Sequence, residues 1–215
     1  MHRAVTLSLS LCLIAVATAT ATAGGQRRPA SAARLVKLGY SPEVADRVAR
    51  RDPALARRIL RAKASDGPLA RETPRPMRSY RTADGRPLRL YRGVAHDLAH
   101  YDLSFRHTRI PGMLFFSEQI TEPHRYAWGD ALDQRAVALA AGEIHGTVIE
   151  LEVPGFLTWS YGHPVLLADE VPDLSLFVHR VARVDLTRPY FPALRAEELT
   201  WEAPDALLAA AGRAP

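Results

Sequence analysis

Two short stretches of the sequence end an apolar run with one polar side chain that can bind a ligand. Residues 90–94 read Leu-Tyr-Arg-Gly-Val and residues 112–118 read Gly-Met-Leu-Phe-Phe-Ser-Glu, so each pattern predicts a strand. Arg92 supplies a planar cation and Ser117 a hydroxyl, and together such groups can hold a ligand that carries phosphate and ribose. Taken alone, Arg92 has a simpler interpretation as a structural ion pair, and Ser117 as a strand end or turn cap.

These two stretches resemble the ADP-ribosyltransferase-like family, in which an aromatic-Arg-Gly strand and a Phe-Ser-containing strand line the NAD cleft. The resemblance covers roughly residues 88–186. It implies that Arg92 contacts the ribose and phosphates of NAD, while Gly93 lets the ligand or a backbone come close. It also implies that Ser117 and Tyr126, at the start of the following helix, line the nicotinamide side of the cleft.

The resemblance further implies a catalytic glutamate near the start of a late strand. Such a glutamate hydrogen-bonds the ribose 2′-hydroxyl and stabilises the oxocarbenium-like charge that forms as nicotinamide leaves. Glu170 precedes the apolar residues 176–178 and is the residue we expect in this role, with Asp173 and Glu152 as alternatives. Ala168 stands where the family often carries Glu or Gln, so the acceptor residue is left unassigned.

The spacing of Glu150 and Glu152 offers a second pair of carboxylates. Residues 146–153 read Gly-Thr-Val-Ile-Glu-Leu-Glu-Val, which is the clearest strand pattern of the chain. Because the two glutamates project from one side of that strand, the alternation predicts a solvated sheet face.

Other polar residues point to different chemistry. His96 and His100 have the i, i+4 spacing of a metal site, although no His-Glu-x-x-His pattern accompanies them. A hydrolase would combine Ser117 or Ser160 with His145 or His163, but the sequence has no Gly-x-Ser-x-Gly elbow. The Gly-x-Gly-x-x-Gly fingerprint of a dinucleotide fold is also absent from the sequence. Because no metal-binding motif accompanies the two histidines, we expect no metal site.

Composition divides the 215 residues into four parts. Residues 1–23 combine a positive start, an apolar run and Ala-Thr-Ala, which is typical of a secretory signal peptide and predicts an extracellular or periplasmic protein. Residues 24–75 form a basic helical segment with a Pro- and Gly-rich linker. Residues 76–205 predict an α+β domain with a mixed or mainly antiparallel sheet, and residues 206–215 a tail. The single cysteine, Cys12, lies within the leader, so we expect no disulfide and no thiol nucleophile.

The basic character belongs to the front of the chain. Residues 26–75 hold 13 Lys and Arg against five acids, whereas the rest is mildly acidic. The favoured interpretation is a helical spacer with a solvated basic face, with an anionic lipid or protein surface as the alternative. The export signal makes nucleic acid the weakest partner.

The sequence as a whole predicts a secreted mono-ADP-ribosyltransferase-like enzyme of the toxin or effector kind. It would cleave NAD, its substrate, at the nicotinamide–ribose bond and transfer ADP-ribose to a protein side chain or to water. Expected partners are NAD, a protein acceptor and a cognate inhibitor, with no nucleic acid and no membrane span once the leader is removed. Two alternatives stay open. One is a non-catalytic secreted binding domain with a degenerate ADP-ribosyltransferase fold; the other is an exported protein that binds anionic surfaces through its basic helices.

Overall fold

The computed structural model describes residues 29–62, 84–95, 102–105, 110–129, 134–171 and 173–212, together with the backbone of Arg78–Ser79. Within these residues the chain forms six α-helices and eight strands. The helices are α1 (Ala30–Leu38), α2 (Pro42–Arg51), α3 (Pro53–Arg61), α4 (Thr121–Trp128), α5 (Gln134–Ala140) and α6 (Asp205–Ala211). The strands are β1 (Arg78–Ser79), β2 (Pro87–Val94), β3 (Met113–Phe115), β4 (His145–Pro154), β5 (Trp159–Ser160), β6 (Pro164–Leu167), β7 (Val178–Asp185) and β8 (Trp201–Glu202).

The strands form two four-stranded sheets. Sheet A has the order β1-β5-β6-β3 and sheet B the order β2-β4-β7-β8. Every pairing between these strands is antiparallel. The predicted α+β class and the mainly antiparallel sheet are therefore confirmed. In the described part of the chain no helix has both the length and the apolar character needed to cross a membrane.

The two sheets meet at their edge strands. Tyr91 of β2 pairs with Ser117, which follows β3, through N–H···O bonds of 2.7 and 3.0 Å in the two directions. This pairing sets the end of the Ser117 strand directly beside the strand that carries Arg92.

Helix α4 packs very closely on the face of sheet B that carries Gly93 and Gly146. A Cβ at Gly93 would lie 1.7 Å from the carbonyl oxygen of Pro123, and one at Gly146 would lie 1.7 Å from that of Ala127. Only glycine allows the helix backbone to come so near. The close approach predicted at Gly93 is thus made by the backbone of α4.

The three front helices begin and end where the sequence indicates. Ser41 and Asp52 each precede a proline at the first helical position, and the Asp52 carboxylate accepts a hydrogen bond from the Leu55 N–H at 2.8 Å. Both are standard helix starts. Gly39 ends α1 with a positive φ of 110°, a conformation that glycine adopts without strain.

These helices share one hydrophobic core with both sheets. The cluster contains Leu35, Val48 and Ile59 from the helices, Leu90 and Leu151 from sheet B, and Leu114 and Leu166 from sheet A. The Arg47 guanidinium, whose pKa is lowered first by burial and then by Arg51, donates to the carbonyls of Ser175 and Val178 at 3.0 and 2.7 Å. The interpretation as a spacer is corrected accordingly: one side of the helices builds the core. The predicted tail also contributes, because Leu207 and Leu208 of α6 pack against this core.

The expectation of a solvated face at Glu150 and Glu152 is wrong. Their exposed fractions are 0% and 1%. Arg180 donates to Glu150 Oε2 at 2.7 Å, and the backbone N–H of Ser41 donates to Glu152 Oε2 at 2.6 Å. The alternating pattern of this strand does not indicate a solvent-exposed face, because both faces of β4 are covered by other elements of the fold.

Candidate active site

Arg92 lies in β2, the edge strand of sheet B that pairs with the end of the Ser117 strand. Its Nε donates to Asp102 Oδ1 at 2.8 Å, its Nη2 donates to the same oxygen, and its Nη1 donates to the carbonyl of Phe115 at 3.0 Å. The Arg92 side chain is 22% exposed and that of Asp102 only 9%. The ion pair expected from the residue alone is therefore present. The ion pair uses two of the five guanidinium N–H donors and the Phe115 carbonyl a third, so among the described residues two donors could still meet a ligand.

Ser117 lies one backbone pairing away from Arg92. Its Oγ accepts a hydrogen bond from the N–H of Gln119 at 3.1 Å, so the hydroxyl caps the turn that leads toward α4. The hydroxyl can still donate its own proton. The structure thus brings the strands of Arg92 and Ser117 together, and each residue also has the structural partner that its type predicts. Because Ser117 pairs directly with Tyr91, its side chain lies on the opposite face of the sheet from Arg92.

Tyr126 and Gly93 belong to the α4 side of sheet B. Successive side chains of a strand point to opposite faces, so Arg92 projects from the face of β2 that α4 does not cover. Tyr126 is half-buried, and the Arg125 guanidinium lies 5.7 Å from its ring centre. Its contact with nicotinamide stays a prediction, and so does a ligand contact at Gly93.

Glu170 stands on the turn that follows β6. The carbonyl of Leu167 accepts hydrogen bonds from the N–H groups of Glu170 and Val171 at 3.1 and 2.9 Å. The side chain is partly exposed, and its Oε2 accepts the indole N–H of Trp159 at 2.8 Å. Glu170 also lines a cavity of about 470 Å³, whose opposite wall is α3 with Leu55 and Arg58.

The two alternative acids, Glu152 and Asp173, both have structural partners. Glu152 is buried against the start of α2, and it contributes after burial to raising the pKa of the neighbouring Tyr40 well above its usual value. Asp173 caps the turn at Ser175 and accepts a 2.7 Å hydrogen bond from Arg51 Nη2. Glu170 and Asp173 are both partly exposed and both line this cavity. Asp173 already caps a turn and pairs with Arg51, so Glu170 stays the favoured candidate.

An aromatic face of sheet A lies between Arg92 and Glu170. Phe115, Val165 and Trp159 form one row across β3, β6 and β5, and Tyr161 packs edge-on against Phe115 with ring centres 6.2 Å apart. Neighbouring strands are about 4.8 Å apart, so Phe115 and Trp159 are separated by roughly 10 Å. Arg92 binds the backbone at the Phe115 end of this row, and Glu170 binds the indole at the other end. The cavity beside Glu170 is lined by neither Arg92 nor Ser117.

Comparison with known proteins finds no relative. No family model matches the sequence, and no curated protein or solved structure matches it significantly. Any functional assignment therefore rests on the side chains of this chain and on their geometry.

The competing constellations gain no support. His96, His100 and His107 lie outside the described residues, and within the described ones no group of three His, Cys, Asp or Glu side chains can hold a metal ion. His163 Nδ1 lies 4.0 Å from Glu122 Oε2, and Ser160 pairs through its backbone with Pro164. Neither arrangement joins a serine hydroxyl to an imidazole.

Sequence reasoning missed two residues that hold the candidate groups. Asp102 has no sequence signal that links it to Arg92, and only the fold shows that it fixes the Arg92 guanidinium. Trp159 lies in a small cluster with Met113 and Val165, and its bond to Glu170 has no sequence signal either.

Proposed function

We propose that this chain is an ADP-ribosyltransferase-like enzyme that cleaves NAD at the nicotinamide–ribose bond and transfers ADP-ribose to a protein side chain or to water. The observation that carries the proposal is the backbone pairing of Tyr91 with Ser117. It sets the Arg-containing strand beside the Ser-containing strand where the two antiparallel sheets meet, which supports the resemblance.

Arg92 is assigned to the phosphates and ribose of NAD. Asp102 and the Phe115 carbonyl hold its guanidinium, so little side-chain freedom remains to be lost when the ligand binds. The two remaining N–H donors of a planar fork suit phosphate oxygens. Ser117, next to this position, is assigned to the nicotinamide side.

Glu170 is assigned to the transition state. As the glycosidic bond breaks, positive charge develops on the ribose, and a carboxylate fixed beside it lowers the barrier. Val165 and Trp159 are buried, but Phe115 is half-buried and the exposed Tyr161 packs against it, so these two rings offer an aromatic surface on which the nicotinamide ring can lie. An aromatic surface also excludes water from the reacting bond.

The test is release of nicotinamide from NAD by purified residues 24–215. We expect Glu170→Gln to lower the rate at least about a hundredfold, or about 2.7 kcal/mol of barrier. The matched control is Glu197→Gln, because Glu197 is an exposed glutamate without a role in the proposal. Absence of release by the unmodified chain, together with no NAD-dependent rise in its melting temperature, would overturn the enzyme in favour of a binding domain.

The proposal includes secretion and a target outside the producing cell. It rests on the leader-like sequence of residues 1–23 and on the scarcity of substrate for such an enzyme outside cells. An effector or toxin that acts inside another cell is the context that fits both, with a cognate inhibitor protecting the producer.

The front helices support a second candidate function, the binding of an anionic surface. Arg34, Lys37, Arg57 and Arg61 are exposed on α1 and α3. Binding through them would weaken steeply with salt. Co-sedimentation with anionic vesicles at two salt concentrations tests it, with an Arg57→Gln/Arg61→Gln variant as the control.

A further inference from the structure

The three tryptophans of the chain differ in what accepts their indole N–H. Trp128 donates to the carbonyl of Arg188 at 3.0 Å, and Trp201 donates to the carbonyl of Ala196 at 2.7 Å. Trp159 instead donates to a carboxylate oxygen, Glu170 Oε2, at 2.8 Å. A buried indole needs some partner, and two of the three are satisfied by backbone. The third is bonded to the acid assigned to catalysis.

We infer that Trp159 is a positioning residue that sets the orientation of the Glu170 carboxylate. This inference rests on the proposed function, which assigns Glu170 to the ribose of NAD in the transition state. The Trp159 side chain is 4% exposed and packs with Met113 and Val165. Because the ring is buried and packed, its N–H has a fixed position. A hydrogen bond to a charged acceptor is also stronger than one to a carbonyl.

The backbone around Glu170 is already fixed from both directions. Before it, the Leu167 carbonyl closes the turn by accepting two N–H groups. After it, Val171 is buried, and Arg51 of α2 holds Asp173 at 2.7 Å. With the backbone fixed, the Glu170 carboxylate can still move by rotation of its side chain. The Trp159 indole restricts that rotation, which is how a protein preorganises a catalytic carboxylate.

The kinetic test compares two tryptophan variants that lose the same chemical group. Trp159→Phe keeps an aromatic ring but removes the donor to Glu170, and Trp201→Phe removes a donor to a backbone carbonyl elsewhere. We expect Trp159→Phe to lower kcat for nicotinamide release about tenfold or more, with KM for NAD nearly unchanged. Trp201→Phe should leave both constants near those of the unmodified chain.

A second measurement follows the hydrogen bond without activity. In the ¹⁵N-labelled chain, three indole N–H signals are expected, and each Trp→Phe variant identifies one of them. Glu170→Gln should move the Trp159 signal and leave the other two in place. Glu197→Gln, next to the Ala196 carbonyl that accepts the Trp201 N–H, should leave the Trp159 signal in place. This measurement tests the hydrogen bond between Trp159 and Glu170 even when Trp159→Phe fails to fold, because the other two variants then leave one signal for Trp159.

The outcomes separate the inference from the proposed function. If the unmodified chain releases nicotinamide and Trp159→Phe is as active as Trp201→Phe, the positioning role is overturned while the enzyme stands. A Trp159 indole signal unmoved by Glu170→Gln overturns it as well. No release by the unmodified chain overturns the proposed function, and the positioning role falls with it.

Discussion

The carboxylates of strand β4 and the carboxylate of the turn after β6 are the same chemical group in two very different places. Glu150 accepts a 2.7 Å bond from Arg180 and has Arg89 at 3.7 Å, while its buried Oε1 has no hydrogen-bond partner among the described residues. Glu152 joins the sheet to the start of α2. Glu170, by contrast, is partly exposed and bonds to an indole at the wall of a cavity.

This contrast shows where a carboxylate is available for chemistry in this fold. In β4 both faces are covered, so a charge there must be satisfied by fixed partners and serves to join elements. Burial beside Glu150 also raises the pKa of Tyr91, with the carboxylate adding to the effect. Glu170, on a turn, is partly exposed and can still meet a ligand. The two acids of the regular strand are structural, but irregular backbone alone does not identify a catalytic acid, because Asp102 and Asp173 also lie outside the strands and pair with arginines.

The largest expected difference between the two places is in stability. Glu150→Ala leaves Arg180 without its buried partner, and we expect the free energy of unfolding to fall by about 3 kcal/mol. This is the low end for a broken buried pair, because the Arg180 side chain is 28% exposed. Glu170→Ala should cost only about 1 kcal/mol, because the Glu170 side chain is partly exposed. Urea unfolding of both variants measures this, and equal losses would contradict the distinction.

Asp102 is an intermediate case that sharpens the comparison. It is buried like the β4 glutamates, but its partner is the candidate ligand-binding residue Arg92. Asp102→Asn weakens that pair, and we expect a loss of about 2 kcal/mol in unfolding free energy. It should also raise KM for NAD, because the guanidinium loses its fixed orientation.

Arg92→Lys provides the matched variant for Asp102→Asn. Lysine keeps the charge but cannot bind Asp102 and the Phe115 carbonyl with one planar group. If Arg92 is only structural, the two variants will be similarly destabilised and neither will change the NAD dependence beyond that loss. Thermal denaturation and nicotinamide release, measured on the same preparations, separate the two roles.

Much of the fold follows from local patterns in the sequence. The strand predicted at residues 90–94 lies within Pro87–Val94, that at 146–153 lies within His145–Pro154, and the helix predicted to include Tyr126 is Thr121–Trp128. The late strand expected near residues 176–178 begins only at Val178, because Leu174–Phe177 form a 3-10 turn.

Long-range packing had no such local signal. The front helices look like an independent basic module because their exposed arginines dominate the composition, yet their apolar side completes the common core. The burial of Glu150 and Glu152 depends on partners far away in sequence, Arg180 and Ser41. An alternating pattern fixes which side chains share a face, but not whether that face meets water.

The candidate site shows the same division. A short polar signature singled out Arg92 and Ser117, and the fold does place their strands side by side. Their structural partners, Asp102 and the backbone of Gln119, were not predictable, because any of many carboxylates and N–H groups could have served. Glu170 was selected by order along the chain, and the contact with Trp159 depends on how β5 pairs with β6.

The smallest expected effect concerns Glu152, the remaining acid of the comparison. Glu152→Gln keeps an oxygen that can accept the Ser41 N–H but removes the charge, so we expect a loss of about 1 kcal/mol in unfolding free energy. Glu152→Ala removes the acceptor altogether and should cost about twice as much. Nicotinamide release by folded Glu152→Gln should equal that of the unmodified chain. A loss of activity comparable to that of Glu170→Gln would return Glu152 to the active site, and position in a regular strand would then no longer identify a structural acid.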